Sequence, residues 1–195
     1  MSKALLIIDV QNDFTEGGSL GVEGGSAVAA GITRLLENHG DDYAHVIASR
    51  DWHDATGDNG GHFATGEPDF VTTWPVHCVA GTEGAEYDPA LDTKRVDVHV
   101  FKGQGEIAYS AFEGTTAEGD RLGAVLTAAG VTDVDVVGIA TDYCVRASAL
   151  HAIEHGQRVR VFTDLVAAVA PESGEAALAE LAHAGAELLT SPVAL

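Results

Sequence analysis

Asp51-Trp52-His53, His62 and Trp74-Pro75-Val76-His77-Cys78 place one carboxylate and three imidazoles within a short, glycine-rich span. Imidazole and carboxylate suit a borderline divalent transition ion such as zinc, iron(II) or manganese. A mixed His/Asp set with open coordination positions fits catalysis better than scaffolding, for which a sulfur-rich set would be expected. Each histidine taken alone reads more simply as a solvated loop group. The three together with Asp51 read as a site for one divalent metal ion.

Cys144 is the candidate nucleophile. It falls in the first turn of a helix that begins near Thr141-Asp142, where unpaired backbone N–H groups and the helix dipole favour a thiolate. A cysteine is as readily a buried small hydrophobe. Asp9 and Lys102 add weight to the chemical reading. A carboxylate beside the thiol can accept its proton and deliver it to an amine leaving group, while an ammonium keeps both anions tolerable at close range. That is the chemistry of an amide hydrolase. Asp9 read as an Asx turn and Lys102 as a solvated loop residue are the plainer alternatives.

The elements that must position these groups alternate between strands and helices. Ala4–Ile8 is a continuous apolar run, as a strand buried on both faces requires, and Val28, Ile32, Leu35 and Leu36 then repeat at helical spacing before Gly40. Ala44–Ala48 predicts a second strand, followed by a long irregular region. Val96–Phe101 predicts a third strand and Leu122–Ala129 a helix closed by Gly130. Val134–Ile139 leads into a helix from about Asp142 to His155, with Gly156 as its stop. Arg158–Phe162 leads into Ser173–Ala184 with Gly185 as its stop, and Glu187–Thr190 can close the sheet. Repeated βα units with right-handed crossovers predict a three-layer α/β/α domain whose mostly parallel sheet has about six strands. Open sheets of this kind bind ligands beyond the carboxyl ends of their strands. Asp9, Asp51 and His53, Lys102, and Gly138–Cys144 all follow predicted strands at that one edge.

The 195 residues, 46% of them hydrophobic, suffice for one well-buried domain spanning 1–195, with the metal-binding loops at about 51–90. A formal net charge of -20 opposes binding to nucleic acid or to an anionic membrane surface. Cys78 and Cys144 are too few for a disulfide framework. The N-terminal apolar run is broken by Asp9 and lacks the features of a signal peptide, and no apolar segment approaches the ~20 residues of a membrane span. A reducing cytoplasm and free thiols are the expectation.

Leu6-Ile7-Ile8-Asp9-Val10-Gln11-Asn12-Asp13-Phe14, Arg50-Asp51-Trp52-His53, Trp74-Pro75-Val76-His77-Cys78 and Val137-Gly138-Ile139-Ala140-Thr141-Asp142-Tyr143-Cys144-Val145 resemble the nicotinamidases of the isochorismatase-like cysteine hydrolase superfamily. The Asp-Val-Gln-Asn-Asp-Phe and Thr-Asp-x-Cys-Val segments carry the superfamily resemblance. The Asp-x-His and Trp-Pro-x-His-Cys pair is more specific to the metal-dependent nicotinamidase branch.

The resemblance implies that Asp9 is general base and acid, Lys102 its electrostatic partner and Cys144 the nucleophile, with the backbone N–H groups of Ala140 and Cys144 as oxyanion hole and a cis peptide between Ile139 and Ala140. It implies hydrolysis of nicotinamide, a small-molecule substrate, to nicotinate and ammonia, with pyrazinamide as a close isostere. The metal, held by Asp51, His53, His62 and His77, would orient the pyridine ring. Phe14, Trp74, Tyr109 and Ile139 would contact the substrate. Two departures stand out. Gly57-Asp58 is followed by Asn59-Gly60-Gly61 before His62, a small insertion that leaves only three protein ligands if it cannot turn His62 inward. Tyr143 stands where histidine is common. An amidase acting on carbamoyl or ureido substrates would keep the triad but have little use for the metal. An isochorismatase needs neither the cysteine nor the metal, and a silent ligand-binding protein would have no use for the triad. Oligomeric state is open, a homo-oligomer included.

Overall fold

A computed structural model of the protein describes residues 2–193. Residues 1, 194 and 195, the ends of the expected domain, lie outside the described residues. Six strands, β1 (Ser2–Ile8), β2 (His45–Asp51), β3 (Val98–Lys102), β4 (Val131–Ile139), β5 (Arg158–Ala167) and β6 (Glu187–Leu189), form a sheet in the order β3-β2-β1-β4-β5-β6. Every neighbouring pair is parallel. The α-helices are α1 (Gly25–His39), α2 (Leu122–Ala128), α3 (Arg146–Glu154) and α4 (Pro171–Ala184). Among the described residues no helix is long and apolar enough to cross a membrane.

The alternation of side chains along each strand divides the core in two. Leu5 and Ile7 of β1 face α1, whose Val28, Ala29, Ile32, Leu35 and Leu36 form one apolar stripe against the sheet. Leu6 and Ile8 face the opposite layer, where Leu122 and Leu126 of α2, Ala149 and Ala152 of α3 and Leu181 of α4 close over them. Full burial of each such Leu or Ile contributes about 1.5–3 kcal/mol. The expected three layers and six strands are therefore present.

Two local differences from the sequence reading bear on the site. β2 and β3 each run past their apolar residues, so that Asp51 and Lys102 are the last residues of their strands and sit opposite each other in the β2–β3 ladder. The expected helix from Asp142 to His155 begins instead as a π-helical turn, Thr141–Val145, before α3 takes over. Periodicity counted over a few residues does not separate a π turn from an α turn.

The strand order reverses between β1 and β4, which leaves a crevice beyond their carboxyl ends, where Asp9 and the Ala140–Cys144 turn lie. Gly138 lets the two strands close there. Its φ is 120°, and a Cβ at this position would overlap the Ile8 carbonyl oxygen. Gly138→Ala is expected to destabilise the fold by about 2–3 kcal/mol. An unchanged urea midpoint would contradict this account of the crevice.

Candidate active site and metal centre

Lys102, 1% exposed, is the hub of the site. Its Nζ lies 2.9 Å from Asp9 Oδ2, forms an ion pair with Asp51 Oδ1, and donates to Cys144 Sγ at 3.7 Å and to the Ala108 carbonyl at 3.4 Å. Asp9 adopts φ 47° directly after β1, and Ser49 Oγ of the neighbouring strand donates to its Oδ1 at 2.7 Å. Burial alone would strip Lys102 of its proton, but Asp51 and Asp9 overcome this and hold its pKa well above the usual lysine range. Burial raises the Asp9 carboxyl, with Lys102 pulling the other way. Asp51 is also pushed up by burial, but Lys102 above all, with His53 and His77 beside it, holds it well below the ordinary carboxylate range.

Cys144 sits in the π-helical turn that follows the cis Ile139–Ala140 peptide, and the Tyr143 and Val145 N–H groups both donate to the Ala140 carbonyl at 3.1 Å. Burial pushes its thiol well above the ordinary cysteine value, Lys102 only partly offsets this, and Asp9 beside it raises the thiol further as charge and as hydrogen-bond partner. The helix end and Lys102 favour a thiolate, as the sequence suggests, but that argument omitted desolvation, which dominates here and favours the thiol.

Asp51, His53, His62 and His77 each offer a ligand atom, all within 4.8 Å of one another, and all four residues are buried. Gln11 fixes the main chain of Asp51, donating from Nε2 to its carbonyl at 2.9 Å and accepting its N–H at Oε1 at 2.8 Å. His53 Nδ1 donates to the Gly103 carbonyl at 2.8 Å and His77 Nδ1 to the Pro75 carbonyl at 2.7 Å. Carbonyls only accept, so these bonds fix the proton on Nδ1 and leave both Nε2 lone pairs facing Asp51 Oδ2, at 3.5 and 3.6 Å.

The Gly-rich insertion does bring His62 inward. Asn59, Gly60 and Gly61 take φ of 48°, 69° and 88°, and the turn closes through the Gly61 and Phe63 N–H groups on the Asp58 carbonyl. Buried Asn59 holds it down, its Oδ1 accepting from the Asp54 and Gly105 N–H groups. Burial, then the neighbouring His77 and His53, push His62 down to about 3, so it is a neutral ring with a lone pair to give. His53 Nε2 and His62 Nδ1 are buried without a hydrogen-bond partner. Orphaned imidazole nitrogens around a carboxylate fit a divalent transition ion.

A cavity of about 670 Å³ opens over Cys144, Asp51, His62 and His77. Phe14, Trp74, Tyr109 and Tyr143 wall it, with Trp74 Nε1 donating to the Tyr109 hydroxyl at 3.1 Å and Trp74 meeting Tyr143 edge-on at 5.1 Å. Ala140 reaches the cavity but Ile139 does not. The Ile139 side chain is wholly buried in the core on the α1 side, so its expected substrate contact is corrected. Asp9, Lys102 and His53 lie behind the cavity wall and are not part of its lining. Ser49, Asn59 and Gly103 were missed by sequence reasoning. Their roles depend on strand register and left-handed turns, which residue type alone does not signal. Gln11 and Asp13, polar residues close behind a buried strand, did carry a signal; Asp13 Oδ2 accepts the Cys78 N–H at 2.7 Å.

The Isochorismatase domain model matches residues 3–192. The chain is 48% identical over 189 residues to the nicotinamidase/pyrazinamidase of Mycobacterium tuberculosis, covering 97% of this chain and 99% of that protein. Its fold is similar to the pyrazinamidase of Pyrococcus horikoshii in complex with zinc, at a TM-score of 0.83 and 34% identity over 98% of this chain and 100% of that one. It is equally similar to PnC1 from L. infantum in complex with nicotinate, at a TM-score of 0.83 and 35% identity over 97% of this chain and 92% of that one. With the domain matched over nearly its full length and the thiol, lysine and carboxylate gathered at one sheet edge, the chain belongs to the isochorismatase family.

Proposed function

We propose that this protein hydrolyses nicotinamide to nicotinate and ammonia, and pyrazinamide in the same way. The carrying observation is the placement of Cys144 Sγ on the floor of an aromatic-walled cavity, 3.7 Å from the Lys102 ammonium and beside the Asp/His cluster. Asp9 takes the Cys144 proton as Sγ attacks the carboxamide carbon, and the backbone N–H groups of Ala140 and Cys144 hold the oxyanion. Asp9 returns the proton to the departing nitrogen as the C–N bond breaks, releasing ammonia and leaving a thioester. Asp9 then takes a proton from an entering water as that water attacks the thioester, and gives it back to the Cys144 sulfur as the acid departs. An Asp9 carboxyl raised by burial suits both directions of this transfer. Lys102 stays cationic throughout.

A divalent transition ion, zinc among the candidates, would supply a coordination position for the pyridine nitrogen, held by Asp51, His53, His62 and His77. Phe14, Trp74 and Tyr109 stack on or edge the flat ring. The cavity lining contains no lysine or arginine and includes Glu16, Glu23 and Asp51. That lining favours a neutral ring amide over the carboxylate-bearing ureido substrates of related amidases.

Ammonia release from nicotinamide by the metal-loaded protein, beside Cys144→Ala and a chelator-treated sample, is the direct test. Activity is expected in the first sample only. Activity retained by Cys144→Ala would overturn the thiol mechanism, and no activity on nicotinamide would overturn the substrate. Lys102→Ala leaves Asp9 and Asp51 buried without their cation and is expected to lower stability by about 3–5 kcal/mol, read as a shifted denaturation midpoint. Gly103 has φ 80°, and a Cβ there would lie 2.5 Å from His53 Cε1. Gly103→Ala is therefore expected to weaken metal binding by about 10–100-fold while sparing the thiol's setting, and equal affinities in a competitive chelator titration would contradict the assignment of His53.

A further inference from the structure

Phe70 is out of place by ordinary folding rules. It is a bulky side chain held at φ 57°, a backbone region such residues rarely occupy, and it is 54% exposed. The chain holds it there deliberately. The Asp69 carboxylate accepts from the Val71, Thr72 and Thr73 N–H groups at 2.9, 2.8 and 2.8 Å and from Thr72 Oγ1 at 2.7 Å. The Phe70 N–H donates to the Thr73 carbonyl at 3.1 Å, closing the turn. These bonds pull the Asp69 carboxyl below its usual range, so the clamp is fully ionised at neutral pH.

The turn delivers Phe70 to the mouth of the cavity that ends at Cys144. There its ring meets Trp74 edge-on at 6.3 Å, and Trp74 in turn meets Tyr143. The cavity, at about 670 Å³, lies well inside the range of about 300–1,000 Å³ that serves drug-sized ligands, so a single pyridine carboxamide leaves its outer part to be closed by something. A residue with only a packing role would gain more by turning inward, since exposure forfeits the burial of an aromatic ring. Strain spent to keep an apolar ring facing an aromatic-walled mouth marks a place where a ligand supplies the missing contact.

We infer that Phe70 is a substrate-positioning residue, presented by the Asp69 turn so that its exposed ring covers the outer edge of a bound heteroaromatic amide. The inference rests on the proposed nicotinamide hydrolysis for its substrate. Phe70 lies in the turn between the candidate ligands His62 and His77 and is itself neither a candidate ligand nor a member of the triad. Because Phe70 touches neither the thiol nor Lys102, its contribution is to binding, equal in ground and transition states.

Phe70→Ala and Phe70→Gly test it together, because glycine accepts the left-handed turn without strain and so keeps the fold intact. Both variants are expected to raise KM for nicotinamide about ten-fold with kcat within about two-fold, with Phe70→Tyr restoring the parent KM and the Gly variant unfolding no earlier than the parent. Asp69→Ala, which releases the turn, is expected to match Phe70→Ala. Unchanged KM in the Ala and Gly variants would overturn the inference, as would a fall in kcat that the Tyr variant fails to rescue. Nicotinate titrations followed by tryptophan fluorescence run beside the kinetics. If the parent protein releases no ammonia, the hydrolytic reading fails, while a roughly ten-fold weaker Kd in the variants would still support Phe70 and an equal Kd, or no binding by the parent, would overturn it.

Discussion

The site depends on one buried ammonium. Asp9 and Asp51 lie behind or at the floor of the cavity with almost no solvent contact, and two such carboxylates repel each other strongly where the dielectric is low. Lys102, bridging them, makes both charges tolerable and is itself kept charged by them. The arrangement is a three-body balance, not a surface salt bridge, and removal of Lys102 would leave two buried carboxylates with no cation between them. It also joins two functional halves. Directly and through Asp9 the ammonium acts on the Cys144 thiol, and through Asp51 it reaches the histidine cluster, so the candidate nucleophile and the candidate metal ligands share one electrostatic support.

Backbone geometry makes that balance possible. Parallel pairing sets Asp51 opposite Lys102 in neighbouring strands, and the reversal of strand order between β1 and β4 places Asp9 beside the Cys144 turn. Residues 52–97, between β2 and β3, contain no long regular element, yet they supply three of the four candidate ligands. Their order comes from polar side chains that act as internal struts: Gln11 on Asp51 and Ala85, Asn59 on Asp54 and Gly105, Asp13 on Cys78. Hydrogen-bonded polar side chains of this kind rigidify a loop that has too few apolar residues to build a core of its own.

Much of this was legible in the chain. The doubly buried strands announce themselves as unbroken apolar runs such as Ala4–Ile8, and α1 as a clean stripe, because burial on two faces or one face imposes those patterns directly. The gathering of the candidate triad and candidate ligands was legible because their residue types are costly to place by accident at one sheet edge. The protonation state of Cys144 was not, since it turns on desolvation, a property of the finished fold. Nor was the inward turn at His62, which hangs on three consecutive positive φ values, nor the direction of Ile139, whose side chain belongs to the core although its peptide belongs to the site. The π-helical turn escaped for a similar reason: five residues hold too little periodicity to distinguish it.

The seclusion of Asp9 and Lys102 has a kinetic meaning. Both lie behind Cys144 and the cavity wall, out of reach of any buffer molecule. On the proposed mechanism a proton leaving the sulfur passes first to Asp9, whose place no buffer base can take. The first half of a turnover then runs on the proton the thiol brings, which departs with ammonia, and the entering water supplies the proton that restores the thiol. Bulk acidity acts through the charge state present when the ring arrives.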